Sequence, residues 1–115
     1  MITDATMTTL HAALTGLQQR SNITANNIAN IDTPGYLAGR VDFESTLRNE
    51  LANGETATVG QSSVSQSADP TGLTGNNVNL DTETTIATET GLRYQLALNA
   101  LDGKYSLLRS ALRTS

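Results

Sequence analysis

Two stretches at opposite ends of the chain carry apolar residues at alternating steps of three and four, and this spacing constrains the fold more than any other feature. The first runs Met7, Leu10, Leu14, Leu17, Ser21, Thr24, Ile28 and Ile31. A repeat of 3.5 residues is the seam of a coiled-coil-like helix, here of roughly 25 residues. Ser21 and Thr24 interrupt it, and polar seam positions cost stability while fixing register or partner. The second runs Ala87, Gly91, Tyr94, Leu98, Leu101, Tyr105, Leu108 and Leu112. A further stripe at Leu92, Leu96, Leu107 and Ala111 makes this segment's apolar surface wider than one partner helix needs. The expected fold is all-α: long N- and C-terminal helices paired as an antiparallel, coiled-coil-like hairpin, a short middle helix, and a largely irregular or disordered centre. Residues 1–31, 32–80 and 81–115 form the three parts of one expected domain of 115 residues.

The first helix should end at Ala25-Asn26-Asn27-Ile28-Ala29-Asn30-Ile31-Asp32-Thr33-Pro34-Gly35-Tyr36. Thr33 precedes a proline and is pushed out of the α region. Pro34-Gly35 suits a type II turn, with proline fixing φ first and glycine supplying positive φ second. Tyr36, just past the turn, has an apolar ring and a polar tip. Asn26, Asn27 and Asn30 are more asparagine than one helix cap requires. Their amides donate and accept, and can satisfy backbone groups of a neighbouring segment or subunit.

After Tyr36, Asp42 is a candidate N-cap. Phe43, Leu47 and Leu51 lie at i, i+4 and i+8, and Glu44 and Arg48 form an i,i+4 pair, so a short amphipathic helix is expected to end near Asn53-Gly54. Ala52 to Asn79 is rich in Ser, Thr, Gly, Gln and Asn, and its large apolar residues are Val59, Val64, Leu73 and Val78. That little apolar surface does not offset about 1–2 kcal/mol of backbone entropy per ordered residue, so disorder in the free monomer is expected. A hairpin of Thr56–Val59 with Ser62–Gln66 is the lesser alternative. Asp81 is the expected N-cap of the last helix, with Glu83 in the first turn and Arg109 and Arg113 in the last turns, as the helix dipole favours. Gly103, mid-helix, either kinks the helix or permits close approach of a neighbour.

A two-helix hairpin leaves the stripe at Leu92, Leu96 and Leu107 wet. The chain is therefore expected to complete its fold by packing against copies of itself or relatives, the free monomer being mostly unfolded or weakly helical at low concentration. The residue inventory points away from chemistry. There is no cysteine and one histidine, His11, beside the first seam, so thiolate and triple-histidine metal sites are excluded. No nucleophile elbow or phosphate loop is present. No catalytic residue, metal or cofactor is expected. The net charge is −4, and it belongs to the middle: Asp32, Asp42, Glu44, Glu50, Glu55 and Asp69 stand there against Arg40 and Arg48. With no basic face, nucleic-acid binding is not expected. No apolar run is long enough for membrane insertion, and Met1-Ile2-Thr3-Asp4 does not open a cleavable signal peptide.

Asn26, Asn27, Ile28, Ala29, Asn30, Thr33, Pro34, Gly35 and Tyr36 together resemble the signature of the bacterial flagellar axial proteins, the family that builds rod, hook and hook-junction segments. Val41-Asp42-Phe43, Gly75 to Glu83, Leu92-Arg93-Tyr94-Gln95 and Gly103 to Arg109 narrow the resemblance to the proximal rod. The resemblance implies a structural, non-enzymatic subunit of the basal-body rod, spanning the periplasm and exported by the flagellar type III route without a cleaved signal. It implies other rod subunits such as FlgC as partners, and the rod adaptor FliE, the export gate and the inner-membrane ring at the base. Its assembly motif maps to Asn26, Asn27, Ile28, Asn30, Thr33, Pro34, Gly35 and Tyr36. Helix packing is expected from Leu10, Leu14, Leu17, Ile28, Tyr94, Leu98, Leu101, Tyr105, Leu108 and Leu112. The alternatives are another rod protein, FlgC itself, or a helical type III secretion adaptor.

Overall fold

The computed structural model describes residues 5–54 and 64–114. Three helices and two short strands follow in the order α1 (Ala5–Ala29), β1 (Gly39–Val41), α2 (Phe43–Ala52), β2 (Val64–Gln66) and α3 (Leu80–Thr114). The long helices α1 and α3 pack antiparallel: Asn27 at the end of α1 meets Glu83 at the start of α3, and Tyr94 and Ala97 further along α3 pack against the core cluster that holds Leu17. The result is an elongated body of 66 × 27 × 15 Å.

The small core lies where three elements cross. Leu17 of α1, Val41 of β1 and Phe43 of α2 are buried together, with Ala13, Ile23, Tyr94 and Ala97 against them. Gly16 makes room for the Phe43 ring; a Cβ there would lie 2.6 Å from Cδ1 and closer still to Cγ. Asp42 caps α2 as expected, its carboxylate accepting from the Ser45 N–H at 3.2 Å. Phe43 is buried, Leu47 half-buried and Leu51 exposed.

Several details differ from the sequence reading. The cap of α3 is Asn79, whose Oδ1 accepts from the Thr82 N–H at 3.1 Å, so Asp81 falls inside the first turn. Helix α3 runs unbroken through Gly103, which has open space beside it. Glu44 does not serve Arg48 but Arg20 and Arg93 on the two long helices. Within the centre, Val64–Gln66 forms a strand that pairs antiparallel with β1 in the register Arg40↔Ser65; the expected partner Thr56–Val59 lies outside the described residues. From Val64 to Asn79 side-chain amides supply the bonds that apolar burial could not.

The α3 seam is also rotated in its first half. Ala87 and Gly91 are exposed, and the face against α1 runs Glu83, Ile86, Thr90, Tyr94, Ala97 and Leu101. From Glu83 to Leu101 this face keeps steps of three and four residues, the spacing of a coiled-coil-like seam. On α1, Ser21 is exposed, whereas Thr24 is buried.

Candidate assembly site

The asparagine-rich end of α1 is a junction of four segments. Thr33 to Tyr36 closes a turn in which the Tyr36 N–H donates to the Thr33 carbonyl at 3.2 Å and Gly35 has φ +76°. That is the type II geometry the Pro-Gly pair dictates. Asn30 closes the helix end locally: its amide donates to the Asn26 carbonyl at 2.8 Å and its Oδ1 accepts from the Thr33 hydroxyl at 3.0 Å. Asn26 itself is exposed and Ile28 half-buried.

Asn27 is fully buried and acts as a surrogate strand partner. Its Oδ1 accepts from the Gly39 N–H at 2.9 Å, and its Nδ2 donates to the Gly39 carbonyl at 3.0 Å. The same Nδ2 donates to Glu83 Oε2 at 3.0 Å. Glu83 is fully buried, and Arg40 Nη1 donates to its other oxygen at 2.7 Å. One helix end, one strand and the start of α3 are thus joined by a single carboxylate. Leaving a buried carboxylate unpaired is costly, which makes this arrangement specific.

A second pair of asparagines holds the turn from the other side. Asn76 Nδ2 donates to the carbonyls of Asn30 and Thr33 at 2.9 and 2.8 Å. The Asn77 side chain accepts from the Ala38 N–H at 2.7 Å and donates to the Ser67 and Asp69 carbonyls at 3.1 and 3.2 Å. Gly35 donates its N–H to the Thr74 carbonyl at 2.9 Å, and Gly75, at φ +80°, backs directly onto Gly35. Asn76, Asn77, Glu83 and Arg40 are absent from the residues that sequence reasoning singled out for the site. The Gly75–Asp81 asparagine cluster was the available signal for two of them; nothing in the local pattern distinguishes Glu83 from a first-turn acid.

Along the helices, Leu17 and Leu101 are buried, and Leu10, Leu14, Tyr94, Leu98 and Leu108 are half-buried. Tyr105 and Leu112 stand exposed in the single chain, as do Leu92, Leu96 and Leu107. The hairpin is tied at its middle by charge. Arg20 engages both oxygens of Glu44, donates to the Val41 carbonyl at 2.7 Å, and stacks over Phe43 at 4.9 Å. Arg93 of α3 reaches the same carboxylate at 3.0 Å. The Arg20 hydrogen bonds hold the Glu44 carboxyl below its ordinary range, against partial burial. A group depressed in the folded state stabilises the fold above its unfolded pKa of about 4.3 and loses that contribution as pH falls through the folded value. Thermal melting followed between pH 6 and pH 3 should show a steeper acid-side loss of stability for the native chain than for Glu44→Gln.

Among the described residues no His, Cys, Asp and Glu cluster could hold a metal ion, and no helix is long and apolar enough to cross a membrane. The family model described as "Flagella basal body rod protein" matches residues 7–36, which are α1 and the signature turn. The flagellar basal body rod protein FlgB of Escherichia coli (strain K12) is 32% identical, with 96% of this chain and 95% of the relative aligned. FlgB of Salmonella typhimurium is also 32% identical, over 96% of this chain and 94% of the relative. FlgB of Bacillus subtilis (strain 168) is 31% identical, over 93% and 92% respectively. With alignment along nearly the whole of both chains, and the signature turn formed as its residues require, the chain belongs to the FlgB family of flagellar basal body rod proteins.

Proposed function

We propose that this chain is a structural subunit of the flagellar basal-body rod and works as one rod-type domain, residues 1–115, without catalysis. The observation that carries the reading is the end-to-end alignment with FlgB relatives. The outward apolar stripe of α3 supports it, because a single chain leaves Leu92, Leu96 and Leu107 in water. A rod turns under load, and interlocked helices transmit torque through many contacts at once. In this reading the buried face of the hairpin shapes the subunit and the outward stripe joins its neighbours. The neighbours are further copies and other rod subunits of the FlgC kind, with FliE, the export gate and the inner-membrane ring at the base. The site is the basal body within the periplasm, reached by flagellar export without a cleaved signal.

Deletion of the gene, with the intact gene restored as control, tests this. The expected result is a non-motile strain whose basal bodies keep the membrane ring and lack the rod by electron microscopy. A motile strain with normal rods overturns the reading.

A further inference from the structure

The end of α2 carries a pair of residues whose chemistry the fold does not use. Of the chain's asparagines, Asn53 alone is followed by glycine; the others precede Ile, Val, Leu, Ala, Glu or a second asparagine. The backbone nitrogen of the next residue slowly attacks an asparagine side chain and closes a cyclic imide. A β-branched or bulky neighbour crowds that nitrogen, whereas glycine leaves it bare.

The other asparagines are restrained. Asn27 is fully buried, and the side chains of Asn30, Asn76, Asn77, Asn79 and Asn99 are hydrogen-bonded. Asn22, Asn26 and Asn49 lie within helices, where the next N–H belongs to the helical ladder. Asp102-Gly103, with the same ring closure available to it, lies inside α3 under the same restraint. Asn53 instead sits at the C-terminal cap of α2, where both it and Gly54 are exposed. Gly54 takes φ +73°, the left-handed conformation of a helix stop, with open space beside it. One bond holds its nitrogen: the Gly54 N–H donates to the Leu51 carbonyl at 3.2 Å. With ψ of 1° at Asn53, that nitrogen is turned away from the Asn53 side chain. Attack therefore needs the cap to open, and helix ends open at little cost.

We propose that Asn53-Gly54 is a self-modification site, converted with age to aspartate and isoaspartate at a pace set by the α2 cap. The Gly54 nitrogen loses its proton and bonds to the side-chain carbonyl carbon of Asn53; the bond from that carbon to the amide nitrogen breaks, and ammonia leaves. Water then opens the imide at either carbonyl. One opening gives aspartate, and the other gives isoaspartate, whose backbone runs through the former side chain. Water is the sole co-reactant. Each event adds one negative charge to a chain at −4. The charge falls at a helix C-terminus, whose carbonyls disfavour it, so the last turn of α2 loosens. Ammonia lost to water does not return, and the modification accumulates with the age of the subunit.

The purified full-length chain, its helicity checked by circular dichroism, is aged in mildly alkaline buffer and in urea. Tryptic peptides are read by mass spectrometry, and methylation by a protein isoaspartyl methyltransferase reports isoaspartate. The expected result is conversion at Asn53 several-fold above that at any other asparagine, in both solvents. It should rise with pH and run faster in urea, and the isoaspartate signal should be lost in Asn53→Gln. Asn53 left intact in buffer while it converts in urea means that the cap closes the site, and overturns the proposal. Conversion spread evenly over the asparagines also overturns it, and equal rates in the two solvents overturn the pacing by the cap.

Discussion

Replacing Glu83 with alanine is expected to destabilise the chain by about 3 kcal/mol or more and to abolish motility, because removing one member of a buried ion pair costs roughly 3–5 kcal/mol. The lower end applies here. Arg40 is 28% exposed and regains some water when its partner is lost. Asn27 does not, being fully buried. Its Nδ2 keeps the Gly39 carbonyl but faces the space the carboxylate occupied. Glu83→Gln should be intermediate. Two donors converge on the native carboxylate, and an amide offers one acceptor with a competing N–H. Thermal melting of the three proteins by circular dichroism ranks them, and swarm assays give the functional order. Equal melting temperatures for Glu83→Ala and the native chain would place the joint elsewhere.

The second large effect is at Gly16. A valine there drives its Cβ into the Phe43 ring, and overpacking of this kind costs typically about 1–3 kcal/mol, more where the ring cannot retreat. Phe43 has little room to move, since it is buried beside Leu17 and Val41 and under the Arg20 guanidinium. The signature of a direct clash is non-additivity. Phe43→Leu alone opens a gap, whereas combined with Gly16→Ala it should cost less than the two single changes summed. A strictly additive double variant in urea unfolding would rule out the clash as the cause.

What the sequence made legible follows from how local each cause is. The seams, the end of α1, the Pro34-Gly35 turn and the Asp42 cap rest on rules that span a few residues, and each can be read along the chain. The rotated seam of α3 cannot, because Glu83 is drawn inward by Asn27 and Arg40 on other elements. The pairing of β1 with Val64–Gln66 was equally hidden: three exposed residues carry no burial pattern, and their partner strand lies across α2. Glu44 illustrates competition. An i,i+4 partnership with Arg48 is worth a few tenths of a kcal/mol, and it loses to the bidentate, partly buried Arg20 of α1, with Arg93 of α3 adding a single contact. The asparagines of the signature were legible as surplus hydrogen-bonding capacity; which backbone they would serve was not.

The bond between Asn27 and Glu83 joins residues 56 positions apart. A chain delivered from its N-terminus, as the proposed export route has it, could pair Asn27 with Gly39 early, but the bond to Glu83 waits until most of the length has followed. Closing so wide a loop early carries a large entropic penalty, with no burial in return until α3 is present to pack. Under the proposed export route the order of arrival would then act as a timer, the shape of the subunit being completed by the segment that arrives last.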